Sequence, residues 1–161
     1  MYVRVINEGQ PILNQNTVYK NNPNVLGISA SYFTTSGVPI DISKIKQGTD
    51  FVAKVVVKNP GNRGTYHQIA LTQIFPSGWE ILNTRLYNSE GAFKSSASDY
   101  MDIRDDRVNI YFDIDKGQTL TYYVQLNAAY LGKYYCLGVY CEAMYDNTIS
   151  GGVNGKWVVV E

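Results

Sequence analysis

The chain has 161 residues, 14 Lys plus Arg against 14 Asp plus Glu for a formal net charge of +0, and 14 tyrosines. That length suits one domain with its own core, and balanced charge with no basic cluster longer than a pair gives no electrostatic basis for gripping nucleic acid or an anionic membrane surface. Charged residues make up 17%, below the ~25% usual for soluble domains, so tyrosine supplies much of the amphipathic surface, as suits an extracellular β domain.

Met1 leads straight into an alternating strand, Tyr2 to Ile6, instead of the charged and apolar regions of a signal peptide. No run approaches the ~20 apolar residues of a spanning helix, so direct membrane insertion is not expected. A chain without an address is what an excised domain would show. Residues 1–161 read as one domain, in which residues 1–24 form a leading strand and a polar linker and residues 25–161 form the core. The linker is the Asn/Gln-rich stretch from Gly9 to Pro23.

Strand signals follow in order. Val25 to Thr34 is the first. Ser36 to Gly48 reads as a loop in which DISKIKQG forms one helical turn, capped by Asp41 or Ser43 and closed by Gly48. DFVAKVVVKN is a strand with Phe51, Ala53, Val55 and Val57 inward, ended by the turn Asn59-Pro60-Gly61-Asn62. Tyr66 to Phe75 is expected to return as its partner, with Ile69, Leu71 and Phe75 on one face, and Pro76-Ser77-Gly78 stops it before Trp79. Asn83 to Met101 reads as a loop. RVNIYFDI turns Val108, Ile110, Phe112 and Ile114 inward, and the next run does the same with Leu120, Tyr122, Val124 and Leu126. The turn Asp115 to Gln118 predicts that these two form a hairpin. Lys133 to Tyr145 and Lys156 to Val160 complete the set, with Ser150 to Asn154 a glycine-rich loop. Seven or eight strands without a helical stripe predict an all-β, antiparallel two-sheet sandwich, immunoglobulin-like and with extended loops.

Candidates for chemistry are few. His67 is the sole histidine, and mid-strand it reads as a surface or edge residue rather than a catalytic base. No nucleophile elbow, zinc helix, phosphate loop or dinucleotide fingerprint occurs, so no enzyme activity and no cofactor are expected. Cys136 and Cys141 lie in one predicted strand, roughly 16 Å apart at ~3.3 Å per residue, too far for a disulfide, and read as half-buried free thiols. Asp99, Asp102, Asp105 and Asp106 suggest calcium, but the glycine and the bidentate glutamate of an EF-hand are missing. Arg104 and Arg107 interleave instead, predicting a structural ion-pair cluster of Arg104, Asp105, Asp106 and Arg107 and no metal. If Tyr111, Tyr123, Tyr134 and Tyr140 share a face, they offer a platform for sugar rings, which makes a carbohydrate or cell-surface binding module the alternative reading.

Three segments together, NPGNRGTYHQIALTQIFPSGWEI, DIRDDRVNIYFDIDKGQTLTYYVQLNAAYLGKYY and VYCEAMYDN, resemble the C-terminal macroglobulin domain, the tenth, of bacterial α2-macroglobulin family protease inhibitors. The resemblance covers Gly27 to the end of the chain. It implies a macroglobulin domain of a large, exported envelope protein, periplasmic or at the outer surface and lipid-anchored in some forms. Such a protein is cut in a bait region and traps or tethers the protease through a Cys-Gln thioester carried by another domain. It also implies, as partners, the thioester domain and neighbouring macroglobulin domains of the same parent chain, with target proteases met indirectly. The reactive C-x-E-Q motif is absent here, since Cys141-Glu142-Ala143-Met144 only echoes it. In the family, the tyrosine of an E-x-M-Y segment shields the thioester from water; that role falls by resemblance on Tyr145, flanked by Glu142 and Met144.

Overall fold

A computed structural model describes residues 23–82 and 93–161. The predicted strand Tyr2 to Ile6, the linker up to Asn22 and the first part of the Asn83–Met101 loop lie outside these residues. All regular structure in the described residues is β: β1 (Gly27–Thr34), β2 (Lys44–Ile45), β3 (Asp50–Lys58), β4 (Tyr66–Ile74), β5 (Trp79–Ile81), β6 (Tyr100–Ile103), β7 (Arg107–Ile114), β8 (Thr119–Ala128), β9 (Gly132–Cys136), β10 (Val139–Ala143), β11 (Asp146–Val153) and β12 (Lys156–Val160). One sheet has the order β1-β3-β8-β5 and the facing sheet β11-β10-β4-β7-β6. A small third sheet, β2-β12-β9, adjoins them.

The period-two alternation places the core as expected. Phe51, Ala53, Val55 and Val57 of β3, Val108 to Ile114 of β7 and Leu120 to Leu126 of β8 turn their alternate residues into one buried cluster with Ile69 and Leu71 of β4. Each such Leu, Ile or Phe contributes about 1.5–3 kcal/mol by leaving water. One aromatic pair bridges the two sheets, Phe112 of β7 meeting Tyr122 of β8 with centroids 5.2 Å apart, and within the four-stranded sheet Trp79 stands edge-on to Phe51 at 4.9 Å.

The predicted pairings of neighbouring strands do not hold. β3 pairs with β1 and β8, while β4 pairs with β7 and β10 in the other sheet. The Asp115–Gln118 turn does close, through Gln118 N–H to the Asp115 carbonyl at 3.0 Å, yet β7 and β8 part into different sheets. The reason is that both runs carry a full apolar face. Laid against each other across the core, the two faces bury one another; side by side in a hairpin, both would need a further layer. Asn59 secures these crossovers. Fully buried, it donates its side-chain amide to the carbonyls of Gly64 at 2.8 Å and Ile114 at 3.2 Å and accepts Gly61 N–H at 2.9 Å. Its own N–H reaches the Gln118 carbonyl at 3.0 Å.

Further expectations are corrected. DISKIKQG is not helical: Asp41 accepts the Ser43 N–H in a local turn, Ile42 and Ile45 are both buried, and Lys44–Ile45 runs parallel to β12. The run Lys133 to Tyr145 is two strands, broken at Leu137-Gly138. Cys136 and Cys141 therefore belong to different sheets, and both are fully buried and free. Ser150 to Val153, read as part of a loop, belongs to β11. Glycines permit close approach on both sides of it: a Cβ on Gly151 of β11 would lie 2.5 Å from the Leu26 carbonyl oxygen, and one on Gly138, in the break before β10, only 1.9 Å from that of Val153.

The end of the Asn83–Met101 loop changes sheets. Ser96 donates its N–H to Thr121, and the Ser95 and Ser96 hydroxyls accept the N–H groups of Tyr123 and Thr121. The chain then crosses to the facing sheet as β6, where Met101 and Ile103 pack on the core.

Candidate functional site: the tip between β10 and β11

β10 and β11 form an antiparallel hairpin whose register shifts between Glu142 and Ala143, so that Ala143 faces Asp146 across the two-residue turn Met144-Tyr145. Ala143 is buried, while Met144 is 53% and Tyr145 80% exposed. Two large apolar side chains thus stand in solvent on a short turn, where hydration of apolar surface is unfavourable. Glu142, half-buried one position before Ala143, accepts a 2.9 Å hydrogen bond from the Tyr140 hydroxyl. The three residues assigned by resemblance therefore lie together, and Tyr145 is the one projecting farthest into solvent.

The tip is held from both sides. On the outgoing strand Asp146 accepts the Thr148 N–H at 3.0 Å and its hydroxyl at 2.7 Å, and Arg63 donates to that hydroxyl oxygen at 3.0 Å. On the incoming side the Met144 N–H donates to the Gln68 carbonyl at 3.0 Å. Gln68 sits in a β-bulge: Tyr66 pairs with Ile114 and Ile69 with Phe112, so His67 and Gln68 together oppose Asp113 alone. Gln68 has φ of 55°, a left-handed conformation costly for a residue with a side chain. The Asp113 carboxylate accepts the Gln68 N–H at 2.7 Å and meets His67 Nδ1 at 2.6 Å. These contacts, the Gln68 N–H first, hold the Asp113 carboxyl below the usual carboxylate range.

His67 is a surface residue, as expected, but its role at the bulge was missed. The signal was present in the sequence: Tyr66 and Ile69, both buried, stand three apart, an odd spacing that breaks period two and marks an inserted residue.

Of the expected ion-pair cluster of Arg104, Asp105, Asp106 and Arg107, only the Arg107–Asp106 pair is present. Arg107 clasps Asp106 through two hydrogen bonds of 2.9 and 2.7 Å, which lowers the Asp106 pKa, while Arg104 pairs at 2.8 Å with Asp102 rather than with Asp105 or Asp106. The pairs close the β6–β7 hairpin, where Arg104 N–H meets the Arg107 carbonyl. Asp102 and Asp106 are thereby committed to arginines. The tyrosine platform is not assembled: Tyr111 and Tyr140 lie on the five-stranded sheet, Tyr123 on the four-stranded one and Tyr134 on the small sheet. An exposed aromatic pair lies elsewhere, Tyr135 against Trp157 at 5.3 Å with the Lys133 ammonium 5.0 Å over the indole.

Comparison with known proteins accords with this architecture. Alpha-2-macroglobulin of Rickettsia conorii is 28% identical over 124 residues, 74% of this chain, and the chain spans 6% of the length of that relative. Among solved structures, the native conformation of Escherichia coli alpha-2-macroglobulin superposes with a TM-score of 0.75 at 20% identity, over 86% of this chain and 9% of that one. A Salmonella alpha-2-macroglobulin gives 0.71 at 21% identity, over 85% and 9%. Residues 26–147 match the family described as the bacterial alpha-2-macroglobulin MG10 domain, and the chain belongs to that family.

Proposed function

We propose that this domain is a non-catalytic part of a bacterial alpha-2-macroglobulin-like protease inhibitor, and that its β10–β11 tip docks on a thioester-bearing domain of the same parent chain and keeps water and amines from the bond. The observation that carries the reading is Tyr145, 80% exposed on a turn that its neighbours hold in place. A phenol ring set there supplies a broad apolar cover with one hydroxyl to spare for a hydrogen bond. An activated acyl group survives only where water is excluded. Met144 adds soft, adaptable packing beside it, and Glu142, steadied by Tyr140, adds a hydrogen-bond acceptor at the rim. The protein would act in the cell envelope, at the periplasmic or outer face, and meet proteases only through the parent molecule.

The names of the structural relatives support the chemistry: they include Escherichia coli alpha-2-macroglobulin activated by trypsin, and Salmonella alpha-2-macroglobulin both as a tyrosine-to-glycine mutant and reacted with methylamine. The test is Tyr145→Gly in the parent protein, with free thiol released by methylamine as the readout. Faster release than in the unsubstituted protein is the expected result; identical kinetics would remove the shielding role.

A further inference from the structure

We infer that Asp113 is the positioning residue of the Tyr145 tip: its carboxylate fixes the left-handed Gln68 bulge, and the Gln68 carbonyl in turn anchors the Met144 N–H at the base of the turn. The inference rests on the proposed role of Tyr145 for its functional meaning, but its structural content stands apart from it.

Each link is a short contact. Asp113 Oδ1 takes the Gln68 N–H at 2.7 Å and Oδ2 meets His67 Nδ1 at 2.6 Å, so one carboxylate holds both residues of the bulge. The next link runs from the Gln68 carbonyl to Met144 N–H at 3.0 Å. In the bulge the Gln68 N–H is turned to the Asp113 carboxylate of β7, while its carbonyl still faces β10 and takes the Met144 N–H. Left-handed φ at a glutamine is unfavourable by itself, so the conformation needs a partner that rewards it, and the Asp113 carboxylate is that partner. β10 and β4 are otherwise in regular register from Val139↔Gln73 to Ala143↔Ile69. The Gln68–Met144 bond extends that ladder one step beyond its last pair, to the residue next to Tyr145.

The side chains of His67 and Asp113 are 68% and 49% exposed, so neither is a core residue whose loss would unfold the domain by opening a cavity. This arrangement lets the free domain present Tyr145 on an already ordered backbone, so that docking has less conformational freedom to remove.

The experiment is amide hydrogen exchange, read at Met144 and at the core positions Leu71 and Ile110, in the 161-residue chain and its variants. Asp113→Ala should speed Met144 exchange about tenfold, equivalent to ~1.4 kcal/mol, the scale of one hydrogen bond, while Leu71 and Ile110 keep their protection. Asp113→Asn, whose amide oxygen can still accept the Gln68 N–H, should restore most of it. In the double variant Asp113→Ala, Gln68→Gly, the positive φ carries no penalty, and protection at Met144 should partly return, a rescue that a merely structural role for the carboxylate would not give. Unchanged Met144 exchange in Asp113→Ala overturns the inference, as does equal loss at Met144, Leu71 and Ile110. In the parent protein, the rate at which methylamine releases free thiol from Asp113→Ala separates the two ideas. If Met144 protection falls while neither Asp113→Ala nor Tyr145→Gly alters thioester reactivity, the shielding role fails and the positioning stands.

Discussion

The side-chain amide of Asn59 donates to the carbonyl of Ile114 at 3.2 Å, tying the loop that leaves one sheet to the last residue of a strand in the other. The same amide holds Gly64, and its oxygen holds the Gly61 N–H. Asn59→Ala leaves these buried groups without their partner, and burial of an unpaired polar group costs about 1–3 kcal/mol. We expect stability to fall by roughly 2–3 kcal/mol, seen as a lower urea midpoint with an unchanged slope.

Gly138 is a steric requirement rather than a conformational one. A methyl group there would fall 1.9 Å from the Val153 carbonyl oxygen and 3.1 Å from Gly155 N. Gly138→Ala must push β11 away from β10, and overpacking of this kind costs typically about 1–3 kcal/mol. Thermal denaturation should show the loss, with amide shifts concentrated at Val153 to Gly155.

The two thiols differ in access although both are buried. Cys136 borders a groove of about 370 Å³ lined with Tyr32, Leu137, Val153 and Lys156, whereas Cys141 is sealed between β4 and β11. Burial raises both thiol pKa values, so little thiolate exists at neutral pH. Alkylation of the native protein should modify Cys136 first, through local opening, and Cys141 only at the rate of global unfolding. The reverse order by peptide mass mapping would show that β10 opens more readily than β9.

Acid should weaken the fold in a defined window. Asp41, Asp106, Asp113 and Asp146 are all held below the usual carboxylate range, chiefly by the Ser43 hydroxyl, Arg107, the Gln68 N–H and the Thr148 hydroxyl respectively. Folded values below the unfolded ~3.9 mean that the ionised forms favour the folded state. Their contribution is complete above about pH 5 and disappears as pH falls below ~4 through the lowered folded values. Melting temperature measured from pH 7 to pH 2 should decline in that acid range, less steeply at high salt because the groups are exposed.

Tyr145 should be dispensable for folding. At 80% exposure it packs on little of its own domain, and exposed substitutions usually change stability by less than about 0.5 kcal/mol. Tyr145→Ala in the 161-residue chain should therefore denature with the unsubstituted protein. A loss well beyond that by urea titration would mean that the ring contributes to the domain itself.

Alternation along the chain was enough to say which residues of β3, β7 and β8 face inward, because side chains on a strand alternate without exception unless a residue is inserted. It could not say which sheet each strand joins. Phe112 and Tyr122 read alike whether their strands are paired or stacked, and only the need to bury both faces at once decides. β11 was illegible because Gly151 and Gly152 have no side chains with which to alternate. The tip itself came from resemblance, through the order Glu142, Met144, Tyr145. Its support was hidden, since Asp113 is separated from Gln68 by 45 positions and nothing local to either residue announces the other.

β8, ten residues long, would by itself present a long row of unused peptide groups on the side away from β3. That row is divided between two short covers: Trp79 to Ile81, continued by the Leu82 N–H to Gln125, and the Ser95–Ser96 stretch bonded at Thr121 and Tyr123. A foreign strand finds no open template there. The chain that switches sheets at Ser95 to Tyr100 thus acts as a guard against edge-to-edge aggregation, a protection this apolar strand needs whenever the domain stands alone.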